Sequence, residues 1–167
     1  MFATLAECFT SRKVHIGMDE AFMVGLGNYR TKHGICDRYD LLVRHLNKVV
    51  EIAKKYNFHP MMWSDMFFRM SNNGEYYVNK TEIPEDVISK IPDVSLVYWD
   101  YYHRHKMDYA NMIKAHKQFN KDIWFAGGAW TWNGFAPSND ITLKTMKPAM
   151  DACRENGVNQ IFLTLWG

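Results

Sequence analysis

Lys13-Val14-His15-Ile16-Gly17-Met18-Asp19-Glu20-Ala21 reads as a short strand that ends on a glycine and delivers two adjacent carboxylates. Side chains alternate along a strand, so Val14 and Ile16 share an apolar face while His15, Gly17 and Asp19 share the other. A bend at Gly17 would let Asp19 and Glu20 both reach into one cleft. Paired charges are more often solvated surface than machinery. Here the preceding strand and glycine, with the aromatic residues downstream, favour acid–base work at a strand's C-terminal end.

The same pattern recurs along the chain. Strand-like runs start near 58, 94, 122 and 159, each preceded by a helical pattern. Residues 2–10 read as the end of an amphipathic helix. A long helix follows Asp37, with Leu41, Leu42, His45, Leu46, Val49, Ile52 and Ala53 at helical spacing. Further helices are expected at about 84–90, 106–119 and 140–156, the last stopped by Gly157. The stretch around Gly25, Gly27 and Gly34 and the polar stretch 71–82 read as loops. Alternating strands and helices predict a parallel sheet with helical crossovers.

A complete eight-fold β/α barrel needs about 250 residues, with a lower bound near 200. At 167 residues the chain suffices for five such units, taken as one domain over 1–167. An open arc would leave its inner face and both edges unprotected. The expectation is therefore either a piece of a longer protein or a partial barrel shielded by a partner, such as a homo-oligomer. An open doubly wound α/β sheet is the structural alternative.

Hydrophobic residues make up 47% of the chain and aromatics 15%, a globular composition rich in Trp and Tyr. A net charge of +2 gives no electrostatic case for nucleic acid or an anionic membrane. Cys8, Cys36 and Cys153 are far apart and lack metal-ligand spacing, which suits reduced thiols in a cytoplasmic setting. No apolar run approaches a membrane span, and the N-terminal stretch lacks the pattern of a signal peptide.

Functional residues of such folds gather where strands end. The expected strand ends carry Trp63 and Asp65; Trp99, Asp100, Tyr101 and Tyr102; Trp130 and Trp132 after the Gly127-Gly128 pair; and Trp166. Converging on one rim, they would build a bowl of indole faces with a few carboxylates, fit for a single pyranose ring. Core filling and scattered surface aromatics are the bland alternative.

His15-Ile16-Gly17-Met18-Asp19-Glu20 resembles the H-x-G-x-D-E signature of the family 20 glycoside hydrolases, the β-N-acetylhexosaminidases. The resemblance covers nearly the whole chain, which would then be strands four to eight of a (β/α)8 TIM barrel. It implies a retaining, substrate-assisted hydrolysis of terminal N-acetyl-β-D-glucosamine or galactosamine, in which the 2-acetamido oxygen forms an oxazoline-like intermediate. Glu20 would be the acid/base, with its pKa raised by indoles and by Asp19. Asp19 would orient the acetamide. The Asp-x-Tyr at Asp100 and Tyr102 resembles the element whose hydroxyl contacts the acetamide carbonyl, with Tyr101 the competing choice. Trp63, Trp130 and Trp166 would wall the pocket. No cofactor is implied, and the partner is an N-acetylhexosamine-containing glycan. Two departures stand out: the family's first-strand arginine has no counterpart here, and the sequence stops at Gly167, just before the acidic residue that commonly follows.

His15 has two readings. It is either a satisfied inner-face histidine beside the carboxylates or, in principle, a metal ligand with Asp19 and Asp65. His59, His103, His105 and His116 read as loop or helix-surface residues. Other functions remain open, namely a non-catalytic carbohydrate-binding or interaction fragment, and a barrel hydrolase in which Asp19 or Glu20 is a nucleophile.

Overall fold

A computed structural model describes residues 1–77 and 82–166. The chain is α/β, with five strands set among helices in the described residues. It forms two compact units, Met1–Tyr76 with Glu82–Ser95 and Tyr77–Thr81 with Leu96–Gly167.

In the first unit, α1 (Phe2–Cys8) leads into β1 (Lys13–His15), and β1 pairs in parallel with β2 (His59–Trp63). Two helices separate them. The first, α2 (Gly27–His33), occupies part of the stretch expected to be a glycine-rich loop. The second, α3 (Arg38–Lys55), starts where expected, and the Asp37 carboxylate caps it by accepting the Asp40 N–H. Its buried stripe is Leu42, Leu46, Val50 and Ala53 with Val43 beside it. Ile52, counted in the apolar face from spacing, is 44% exposed. Each of these large apolar side chains contributes roughly 1.5–3 kcal/mol on full burial.

A helix that the sequence pattern did not announce follows β2 at once. In α4 (Asp65–Ser71), Asp65, Met66, Phe67 and Phe68 are all buried. Then comes α5 (Glu85–Lys90), with Pro84 at its N-cap. Of the loop expected over 71–82, residues 78–81 lie outside the described residues.

The second unit holds β3 (Ser95–Trp99), β4 (Ile123–Gly128) and β5 (Gln160–Thr164), each parallel to the next in chain order. Helix α6 (Lys106–His116) runs into a 3-10 turn at Lys117–Phe119 and packs on α7 (Asn139–Asn156). Gly157, with φ of 74°, closes α7. Tyr109, Met112 and Ile113 of α6, Ala149, Ala152 and Cys153 of α7, and Leu96, Tyr98 and Phe125 of the strands are all buried, and Tyr109 meets Phe125 edge-on at 5.8 Å.

The fourth strand runs through Gly127 and Gly128, where the sequence reading ended it. The two glycines serve opposite faces. A Cβ on Gly127 would run into Met146 of α7. One on Gly128 would lie 2.6 Å from the Trp132 ring and 3.0 Å from Tyr101. Bare backbone at these positions lets helix and aromatic rings come close to the strand. Among the described residues, no helix is long and apolar enough to cross a membrane.

Candidate functional site

The first unit assembles one set of candidate residues at the end of β1. The ladder outlasts the strand itself: Ile16 N–H donates to the Met61 carbonyl at 2.9 Å, and Trp63 N–H to the Gly17 carbonyl at 3.0 Å. The backbone then turns sharply. Gly17 has φ of 75°, Met18 82° and Glu20 47°. Glycine takes this left-handed region freely, but a side-chain-bearing residue there costs roughly 1–2 kcal/mol. Such strain persists only where surrounding contacts impose it.

Asp65 supplies one of those contacts. Its carboxylate has no solvent exposure, and Oδ2 accepts the Glu20 N–H at 3.1 Å and Arg69 Nε at 3.0 Å. Arg69 sits one helical turn after Asp65 and is held on several sides. It donates to the Gly74 carbonyl at 2.9 Å and lies over the rings of Phe22 and Tyr76. Its remaining nitrogen is 3.8 Å from Glu20 Oε1. Burial pushes the Asp65 carboxyl above the usual range, against the pull of the Glu20 N–H and Arg69.

His15 stands below this turn. Its Nδ1 accepts the Gly17 N–H at 3.1 Å, and its ring lies 4.3 Å from that of Trp63. Burial pulls its pKa down to about 4, with Asp19 opposing, so the ring is neutral near pH 7 with its proton on Nε2. The satisfied reading of His15 thus holds at Nδ1, while Nε2 and Asp65 Oδ1 are buried without a hydrogen-bond partner. No group of three His, Cys, Asp or Glu among the described residues could hold a metal, so His15, Asp19 and Asp65 do not form one.

Asp19 and Glu20 are both exposed, the Glu20 side chain by 55%. Within this unit Glu20 is open to solvent rather than enclosed by apolar rings, with the Arg69 guanidinium 3.8 Å from its carboxylate. Trp63 is buried.

In the second unit the ends of β3 and β4 carry an aromatic cluster. Trp99 stacks on Tyr101 with ring centroids 5.4 Å apart, and Trp130 stacks on Trp132 at 5.0 Å. Tyr101 meets Trp132 edge-on at 5.5 Å, and Tyr102 meets Trp130 at 5.8 Å. Trp130 Nε1 donates to the Tyr101 carbonyl at 3.0 Å, joining the two strand ends. Trp130 itself has φ of 42°, a third strained non-glycine strand end beside Met18 and Glu20. Trp99 and Tyr101 are buried, Trp130 and Trp132 half-buried, and Tyr102 is 55% exposed. Trp166 is exposed, and its carbonyl accepts the Thr131 hydroxyl at 3.1 Å.

Asp100 does something other than face a ligand. Its side chain is fully buried, and both oxygens are occupied. Oδ1 accepts the N–H groups of Tyr102 at 3.0 Å and His103 at 3.3 Å. Oδ2 takes the Tyr98 hydroxyl at 2.6 Å and His103 Nδ1 at 2.7 Å. Of the pair expected to bind substrate, Tyr102 is open to solvent and Asp100 folds the loop beneath it.

Arg69 was missed in the sequence, and His103 was read there as a loop or helix-surface residue. A helix directly after β2 would have exposed the Asp65–Arg69 spacing of four. The Asp100–His103 spacing of three is that of a side chain closing its own turn. Searched against models of known protein families and against curated proteins, the sequence matches none.

Proposed function

We propose that the chain is the later part, strands four to eight, of a (β/α)8 barrel whose parent enzyme is a β-N-acetylhexosaminidase, acting by substrate assistance. The observation that carries this reading is the strained, anchored backbone at Glu20, whose N–H is tied to a buried carboxylate. A glutamate held at φ of 47° in an exposed turn carries the kind of local strain that gathers at functional sites. In this reading Glu20 protonates the leaving oxygen and then activates water, while Asp19 orients the acetamide. Tyr102 or Tyr101 contacts the acetamide carbonyl, and Trp130 and Trp132 stack on the sugar.

Within each unit neighbouring strands are parallel, as a partial barrel and an open α/β sheet both require, and the barrel reading rests on the motif resemblance. Leu163, Leu165 and Trp166 are exposed at β5, which suits coverage by further strands or a second copy. Three free cysteines, one with its thiol pushed up to about 12 by burial, suit a reducing, cytoplasmic setting. With part of the sugar clamp missing, the isolated chain is expected to be weak or inactive.

The test is release of 4-methylumbelliferone from its N-acetyl-β-glucosaminide by the parent chain, wild type against Glu20→Gln. A loss of 100-fold or more in the variant is expected, in line with the roughly 10²–10⁴-fold contribution of a general acid. Equal turnover would remove Glu20 from the mechanism.

The exposure of Glu20 and its pairing with Arg69 favour a second reading, a non-catalytic carbohydrate-binding chain that uses the same aromatic cluster. It predicts sugar binding without turnover, unchanged in Glu20→Gln.

A further inference from the structure

Among the described residues of the second unit's cluster, His103 is an imidazole that no role above uses. Three of its polar groups are fixed by its surroundings. Its N–H and Nδ1 both engage the buried Asp100 carboxylate, and its carbonyl accepts the Tyr109 hydroxyl at 2.5 Å. Asp100 is itself locked by Tyr98 and the Tyr102 N–H, so the imidazole plane is set by a network with no freedom to turn. Yet the side chain is 31% exposed, and Nε2 has no hydrogen-bond partner among the described residues.

A buried carboxylate that orients one imidazole nitrogen while the other faces outward is the arrangement proteins use to prepare a histidine for a partner. With Nδ1–H donating to Asp100, Nε2 is left to meet a ligand, as an acceptor on the neutral ring or as an N–H donor on the imidazolium that the Asp100 carboxylate favours. Burying a carboxylate merely to close a four-residue turn is costly, since an Asn could accept the same two backbone N–H bonds. The surroundings suit a sugar. The Tyr77 ring meets His103 edge-on at 4.9 Å and meets Tyr102 at 6.4 Å, and Tyr102 in turn meets Trp130. A pyranose laid on an aromatic face holds its hydroxyls outward in the ring plane, where a fixed ring nitrogen beside the rings can bond one.

We infer that His103, oriented by Asp100, is a ligand-binding residue whose Nε2 shares a hydrogen bond with one hydroxyl of the bound glycan. This rests on the carbohydrate reading above and names a specificity contact that neither the signature nor the strand-end pattern assigned.

The test uses the full chain and methyl N-acetyl-β-glucosaminide with its 3-, 4- and 6-deoxy analogues. Affinities are measured by calorimetry for wild type, His103→Ala and Trp130→Ala. The expected result is a loss of about five- to tenfold for His103→Ala with the parent glycoside, the worth of one hydrogen bond. That loss disappears for one deoxy analogue. Trp130→Ala weakens all four ligands alike. A uniform His103→Ala penalty across the series, or none, overturns the assignment while leaving carbohydrate binding intact. Failure of wild type to bind any of the four overturns the carbohydrate reading and the His103 assignment together. A readout independent of variant folding is the nitrogen resonance of Nε2 in wild type. It must shift on saturation with the parent glycoside and stay in place with the matching deoxy analogue, and an unmoved resonance with the parent overturns the inference.

Discussion

The Glu20 backbone N–H donates to Oδ2 of Asp65 at 3.1 Å, joining residues 45 apart in the chain. A carboxylate without solvent exposure thus holds in place the turn that presents the conspicuous glutamate. The same oxygen takes Arg69 Nε. Removing Asp65 leaves a largely buried guanidinium with its nearest anion gone. Asp65→Ala is expected to destabilise the chain by about 3 kcal/mol or more, the usual cost of breaking a buried pair. Asp65→Asn, whose amide oxygen can still accept at the Oδ2 position but without the charge, should cost less. Urea midpoints of the two variants check the order.

Acid should weaken the fold through its buried histidines. Burial pulls both His15 and His116 from 6.5 to about 4. The unfolded chain therefore binds protons that the folded chain refuses, and stability falls as pH drops from about 6.5 to about 4. For the fully buried His116, with its Nδ1 against the Met112 carbonyl, the loss amounts to roughly 3 kcal/mol by the acid end. Asp65 leans the other way, since a carboxyl raised by burial favours the folded state at low pH. His116→Gln should flatten the acid limb of stability against pH, and an unchanged slope would remove His116 as its source.

His103 has the opposite sign. The Asp100 hydrogen bond raises its pKa above 6.5, with burial opposing. It contributes stability below about 6.5 that is lost as pH rises through the folded value. In Asp100→Asn the imidazole should titrate at lower pH, visible in its ring-proton resonances. The variant's loss of stability should be larger at pH 6 than at pH 9.

How much of this could be read from the sequence divides along physical lines. Strand and helix alternation was legible because apolar spacing and the Asp37 and Gly157 caps are local signals. Helix α4 was not. Its Met66-Phe67-Phe68 run is buried on every side, so it has no amphipathic period, and Ser64 makes no side-chain cap to mark its start. Helix α2 was hidden by the glycines at 25, 27 and 34, which argue for a loop although Gly27 starts the helix. At the site, the residue types at each strand end were legible, but their roles were not. Whether Asp100 faces a ligand or folds its own loop depends on an i to i+3 closure that composition does not encode. Glu20 follows the turn at Met18, whose positive φ has no signature in the residue types around it.

Gly128 is the position where a single methyl group should disturb the aromatic cluster most. Trp132 would lie 2.6 Å and Tyr101 3.0 Å from the new Cβ, so at least one ring must move. Gly128→Ala is expected to cost about 1–3 kcal/mol, as overpacking does. It should also alter the near-ultraviolet circular dichroism of the Trp130–Trp132 stack and weaken any sugar that rests on it. Retained spectra and stability would mean that the rings yield easily.

Strain at Glu20 makes a prediction that separates structure from function. At φ of 47° the glutamate is in a region that glycine occupies without cost. Glu20→Gly keeps the backbone N–H that Asp65 accepts and gives up only an exposed carboxylate 3.8 Å from Arg69. Such exposed pairs contribute little. Relief of the left-handed conformation should therefore stabilise the chain by about 1 kcal/mol, less whatever the freer unfolded backbone takes back. Turnover of an N-acetylhexosaminide by the parent chain should be lost in the same variant. A gain in stability with a loss of activity marks a residue kept against the interest of the fold. A loss of both would mean that the glutamate side chain is itself structural, and its conformation would no longer argue for catalysis.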